Sequence, residues 1–352
     1  MIIIIGAGLS GLLTAYRLKR AGIPFKILEA RNRIGGRINT VIGANDTPME
    51  MGATWFGDQH QNLKALLEEF EIRYFEQYMD RIVYYQASQT SPIDSFQIPN
   101  QAPSYRIEGG TSNLINCLYN QLDEGDILLN QTVREIKFLN NSVEVYADTV
   151  YIGSRVVLAI PPKLWAKRIR FEATLPSELM EIAEQTHTWM EDSIKVALTF
   201  DQPFWQTTGQ PRTFFSNAGP ITEFYDHCNS ERTKFALCGF INSSFKKLDD
   251  SERRARVIDQ LKKVFGPKVG EFTDYVECVW SEEKNTFEAT DIPHYPHQNN
   301  GNQFFRKTFF EDKLVLSSSE SAAESPGYMD GAVFAANLVA RKLIALDGLK
   351  AF

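Results

Sequence analysis

The sequence has little of what several protein classes require. Four cysteines occur in 352 residues, Cys117, Cys228, Cys238 and Cys278, and no two form a C-x-x-C. That excludes a disulfide-stapled fold and a cysteine-rich zinc site, and it predicts unpaired thiols in a cytoplasmic protein. No stretch approaches the ~18 consecutive apolar residues that cross a bilayer, so no membrane span is expected. Lys and Arg form no dense cluster and the formal net charge is −7, which argues against nucleic acid as a partner. Histidine is scarce, with five in all. His294 and His297 stand three apart, but Pro296 interrupts them and no third ligand is suitably spaced, so no metal is expected.

What is present begins at the N-terminus. Hydrophobic residues make up 43% of the chain, enough for two domains or one large discontinuous one. Residues 2–5 are four consecutive isoleucines, the pattern of a parallel strand buried on both faces. The run has no basic lead-in and is read as a strand, not a leader peptide. Gly6, Gly8 and Gly11 follow as G-x-G-x-x-G. Leu9, Leu12, Leu13 and Tyr16 then recur on one helical face, Gly22 is placed to close that helix, and a second strand is expected over 23–28, ending at Glu29.

This is the pattern of a dinucleotide site. Gly6 allows the tight turn, Gly8 lets a pyrophosphate approach the backbone, and Gly11 lets the helix pack closely on the strand. The helix N-terminus offers free N–H groups and partial positive charge to the phosphates. Glu29, 18 residues past Gly11, can accept ribose hydroxyls and disfavours a 2′-phosphate, which leaves FAD or NAD.

Residues 29–37, EARNRIGGR, resemble the E-A-R-x-R-x-G-G-R signature of the flavin amine oxidase superfamily. That group includes monoamine and polyamine oxidases, L-amino-acid oxidases, protoporphyrinogen oxidase and carotenoid desaturases. The resemblance implies FAD, with Arg31 and Arg37 among its contacts; Arg33 and Arg37 are suited to neutralise a diphosphate. Residues 49–56 resemble the family's turn against the flavin ring, which would make Gly52, Ala53 and Thr54 contacts; a plain strand and turn is the alternative. Residues 74–105 are too few for the long helical insert of monoamine oxidases and read as short strands and loops. Gly109-Gly110 opens a helix with Thr111 or Ser112 as N-cap. Val133 matches a position whose backbone contacts the adenine in the family, and residues 155–162 look like its A-x-P-P element.

Ser193-Ile194-Lys195, with Phe204-Trp205, resembles the family's S-x-I-K…F-W stretch, whose lysine holds a water against flavin N5. The alternative for Lys195 is an edge-strand lysine that blocks aggregation. Residues 280–285 resemble an E-E-K-N element. Residues 279–316 contain no cysteine, so the FAD is expected to be non-covalent. Residues 312–320 resemble the strand leading to A-G-[TD]-E, which makes Glu320 a cofactor contact, and 327–332 resemble G-Y-[MV]-[ED]-G-A, which adds Met329. Tyr328 resembles one wall of the aromatic cage before N5, with a core tyrosine as the alternative. Tyr295 and Phe287 are candidates for the second wall.

The resemblance implies an α/β protein with a Rossmann-like FAD-binding domain of the GR2 type and a discontinuous mixed-sheet substrate domain. The FAD-binding domain is expected from residues 1–77, 105–184 and 303–352, and the substrate domain from 78–104 and 185–302. The implied activity is oxidation of a C–N bond in an amine or amino acid, with hydride transfer to N5 and reoxidation by dioxygen. A C–C desaturase or porphyrinogen-type oxidase on the same scaffold, and a flavin-binding partner protein without turnover, are the alternatives.

Overall fold

Alternation along the first strand explains why four isoleucines can all be buried. The computed structural model describes residues 1–206, 210–289 and 295–348. In β1 (Ile2–Ile5), Ile2 and Ile4 share a core with Leu12, Leu13 and Leu18 of α1 (Leu9–Arg20), while Ile3 and Ile5 join Val145, Trp165 and Phe305 on the other face. β1 pairs in parallel with β2 (Phe25–Leu28) on one side and with Arg155–Leu158 on the other. The six-stranded sheet runs Ile127–Leu128, β2, β1, Arg155–Leu158, Leu314–Leu316 and Thr308–Phe309; only the last strand is antiparallel. Its strands thus come from three separated parts of the chain. The helix Met329–Leu346 packs on α1 over this sheet.

β2 starts two residues later than the pattern suggests. Gly22, at φ +72°, reverses the chain after α1, and the Ile23 N–H returns to the Leu18 carbonyl at 3.0 Å. Ile23 therefore closes the helix, and the ladder begins only after Pro24.

A second sheet has seven strands, in the order Asp274–Val279, Ile194–Phe200, Phe235–Ile241, Ile221–Asp226, Phe214–Ser216, Ile82–Gln86 and Asp94–Gln97. It is mixed, because Phe214–Ser216 and Ile82–Gln86 run parallel. Ile194–Phe200 lies between two partners and is buried at every residue, so Lys195 is not an edge lysine. Ile194, Val196, Leu198 and Phe200 pack with Val257 and Leu261 of the helix Asp250–Phe265. Ala197, on the opposite face, meets Met49, Met51 and Cys238. Residues 74–105 form strands in two sheets, as their short β-rich runs suggest, with no helix there among the described residues.

The helix Ser112–Tyr119 is capped differently from expectation. Neither Thr111 nor Ser112 caps it with its side chain. Instead Glu50 Oε1 accepts the Thr111 N–H at 2.6 Å, and Thr40 Oγ1 accepts that of Ser112 at 2.9 Å. Ser112 Oγ returns the favour by accepting the Thr40 N–H at 2.9 Å. The partners lie some sixty to seventy residues upstream, and local sequence carries no sign of them. Among the described residues the four cysteines are free, and no helix is long and apolar enough to cross a membrane.

Candidate active site

The parallel sheet ends at a turn that only glycine can make. Gly6 has φ +104°, and a Cβ there would stand 2.7 Å from Ile160 Cγ2. Gly8 is the N-cap of α1 and no side chain caps the helix, so the first N–H groups are left to whatever occupies the adjoining space. Gly8, Leu9 and Ser10 all line a cavity of about 670 Å³. At the end of β2, Glu29 is buried, and its carboxylate accepts the Ala7 N–H at 2.8 Å and the Arg31 N–H at 2.9 Å. Gln131, Thr132 and Val133 continue the wall beside it.

The arginines divide their work. Arg31 lines the cavity and reaches Glu283 at 3.0 Å and Thr286 Oγ1 at 2.7 Å, which ties the loop after β2 to the 283–286 segment. Arg33 donates to the Ile34 and Gly36 carbonyls, so it holds the G-G-R loop and is absent from the cavity wall. Arg37 lines the cavity, pairs with Glu320 at 2.6 Å and donates to Ser319 Oγ at 2.8 Å. Glu320 is fully buried behind it. Burial alone would push the Glu320 carboxyl up, but the Arg37 charge and its hydrogen bonds hold it below the ordinary value.

Of the residues singled out from sequence, Gly6, Gly8, Glu29, Arg31, Arg37, Gly52, Ala53, Thr54, Val133, Lys195, Tyr328 and Met329 share this one cavity. Gly11 and Glu320 stand behind the wall. Gly11 sets the distance between α1 and the turn, and Glu320 compensates Arg37.

The far end is aromatic. Lys195 is buried, and its ammonium donates to the Gly52 carbonyl at 2.5 Å and to Thr54 Oγ1. It stands 4.7 Å from the centre of the Trp55 ring and 5.5 Å from that of Phe240. Burial pulls its pKa below the ordinary lysine value, and the neighbouring Glu50 opposes that shift. Burial likewise pushes the Glu50 carboxyl up, against the pull of Lys195. Tyr225 packs on Trp55 with ring centres 5.5 Å apart and also faces the cavity.

Tyr328 is 37% exposed, so it is not a core tyrosine. The ring that faces it is neither expected candidate. Tyr295 is 80% exposed and Phe287 lies near Lys163, and neither lines the cavity. Trp189 does: its ring is 5.8 Å from that of Tyr328 and stacks on His297 at 4.0 Å. His60 and His297 also pack on Tyr328, each with ring centres 5.5 Å apart. Burial lowers the pKa of both His60 and His297. His294 lies outside the described residues, and no cluster of three metal-ligating side chains occurs among those described.

Phe240 sits opposite Lys195 in the neighbouring strand, a pairing visible only once the register is known. Trp189 lies in a turn with no periodicity to mark it; only its place just before the Lys195 strand could have drawn attention.

The chain is 24% identical to the probable flavin-containing monoamine oxidase A of Dictyostelium discoideum, over 80% of this chain and 84% of that protein. It is 21% identical to the flavin-containing amine oxidase B of Homo sapiens, over 99% and 86%. Among solved structures, a putrescine oxidase bound to putrescine superposes with a TM-score of 0.83 at 22% identity, over 98% of both chains. The sequence model for flavin containing amine oxidoreductases matches residues 9–94 and 83–344, nearly the whole length, and the chain belongs to that family.

Proposed function

We propose that this protein is an FAD-dependent oxidase of a C–N bond in an amine or amino acid, with its FAD held non-covalently. One observation carries the reading. A single cavity joins an uncapped helix N-terminus and the Glu29 carboxylate to a buried lysine and an aromatic corner. The donor set suits the cofactor: N–H groups for phosphates, a carboxylate for ribose hydroxyls, and a backbone turn at Gly52–Thr54 for a planar ring. None of the four cysteines lines the cavity, which supports non-covalent binding. Their free state also fits a cytoplasmic setting.

Bound FAD would supply the electron acceptor for the amine and pass the electrons on to dioxygen. Tyr328 and Trp189 present π-faces to an amine, an attraction of roughly 0.5–2 kcal/mol for a cationic head. Trp55, Tyr225 and Phe240 line the same end and exclude water. Lys195 keeps a fixed positive charge where negative charge gathers as dioxygen takes up electrons.

Anaerobic mixing with a panel of amines and amino acids tests the reading. At least one should bleach the flavin absorbance, and acid should release intact FAD from the denatured chain. A yellow protein that no member of the panel bleaches would refute the activity, and colour that stays with the chain would refute non-covalent binding.

A further inference from the structure

The segment 187–193 leads from the helix Ser177–Glu184 to the Lys195 strand and holds Trp189 in its middle. Its shape is tightly specified. The Glu191 N–H donates to the Thr188 carbonyl at 3.0 Å, Met190 takes the left-handed φ of +62°, and the Ser193 N–H returns to the Met190 carbonyl at 3.1 Å. On one side the 295–300 loop holds this turn, through His187 N–H to the Gln298 carbonyl at 3.1 Å and the stack of Trp189 on His297. On the other side stands a buried ion pair. Lys163, in the first turn of the helix Pro162–Arg168, meets Glu191 Oε1 at 2.5 Å, and their side chains are 1% and 7% exposed.

Stability does not account for this pair. Two buried charges pay a desolvation cost that a single contact seldom recovers, and apolar residues of similar size usually do as well. Glu191 also lines the cavity, and its second carboxylate oxygen, Oε2, has no hydrogen-bond partner among the described residues. What the pair does supply is direction: a short, charged link fixes one position of the turn against the helix, where apolar contacts would allow it to slide.

We propose that Lys163 and Glu191 are a positioning pair that locks the 188–191 turn so that Trp189 stands opposite Tyr328 at the aromatic end of the cavity. What Trp189 is used for rests on the amine reading above; where it is held does not.

The test is the double variant K163M/E191M in the FAD-loaded protein. It removes the link without stranding a buried charge, so it should fold even where Glu191→Met alone does not. The emission owed to Trp189, taken as the difference from a Trp189→Phe background, should become more accessible to acrylamide than in the parent. Binding of an amine that bleaches the parent flavin should weaken by about tenfold, the scale of one lost ring contact, with FAD retained. Adding Trp189→Phe to the double variant should cost little more, because the same contact is already lost. Unchanged quenching of Trp189 would overturn the positioning role. Additive losses from K163M/E191M and Trp189→Phe would overturn it too. If no amine binds the parent, the activity falls, and the quenching result alone still decides where the pair holds Trp189.

Discussion

Gly11→Ala puts the dinucleotide reading to a quantitative test. A Cβ at position 11 would stand 2.0 Å from the Gly6 carbonyl oxygen, 3.1 Å from its carbon and 3.3 Å from Ala159 Cβ. The nearest atoms are backbone and cannot rotate aside. Ordinary contact begins at 3.4 Å, so α1 must retreat from the glycine turn by the difference, about 1.4 Å. That helix is buried from Leu9 through Ala15 and again at Leu18, and it packs on Met329–Leu346, so there is no slack behind it. Overpacking of this kind costs ~1–3 kcal/mol, and a backbone clash belongs at the upper end. For a chain of 352 residues the upper end of that cost lowers Tm by about 4 °C. The same retreat moves the first N–H groups of α1 away from a bound phosphate, and one lost charge-assisted hydrogen bond of ~1.5–3 kcal/mol weakens FAD binding about 10- to 150-fold. Gly8→Ala is the control. Gly8 has φ −77° and its Cβ would meet nothing closer than 4.0 Å, so that variant should keep its Tm in the absence of FAD and lose only cofactor affinity. Thermal unfolding with and without FAD, together with FAD titration, measures both. A Gly11→Ala protein with wild-type Tm and FAD affinity would refute the reasoning.

Glu29→Ala should lower FAD affinity by about 10- to 150-fold, and it should also destabilise the FAD-free protein by ~1–3 kcal/mol because the Ala7 and Arg31 N–H groups lose their acceptor. Unchanged affinity by titration would remove Glu29 from the site. Lys195→Met should leave reduction by amine nearly intact but slow reaction with dioxygen about a hundredfold, for ~3 kcal/mol of lost electrostatic stabilisation; stopped-flow traces with equal oxygen rates would end that assignment. Because burial lowers the Lys195 pKa, the oxygen rate should fall as pH rises through a value below 10.5, and Lys195→Met should abolish that limb. Glu320 is held below its ordinary carboxyl value by Arg37, so its stabilisation is full above the unfolded value of ~4.3 and is lost as pH falls below that; Glu320→Gln should flatten this acid limb of the Tm profile, and an identical limb in both proteins would contradict it.

What the sequence made legible was local in the chain. The strand, glycine turn, helix and acid of residues 2–29 specify one another through spacing alone, and the structure assembles them as read, with Ile23 moved from the strand to the helix cap. Lys195 and Tyr328 were singled out through short motifs; the edge-strand alternative for Lys195 fails because it lies between two strands, and the core alternative for Tyr328 fails because the residue is exposed. What stayed hidden depends on contacts across long separations. Thr40 and Glu50 cap a helix that begins at Ser112, Phe240 reaches Lys195 only through strand register, and Glu320 spends its charge on an arginine 283 positions away. Trp189 is the most instructive case. No periodicity marks a residue in a turn, and the ion pair beside it joins two positions that look like surface charges, Lys163 after a pair of prolines and Glu191 beside Asp192. A sequence reading assigns such charges to solvent because buried ions are rare. The fold buries these two, and the cost of doing so is what marks the turn they hold as one whose position matters.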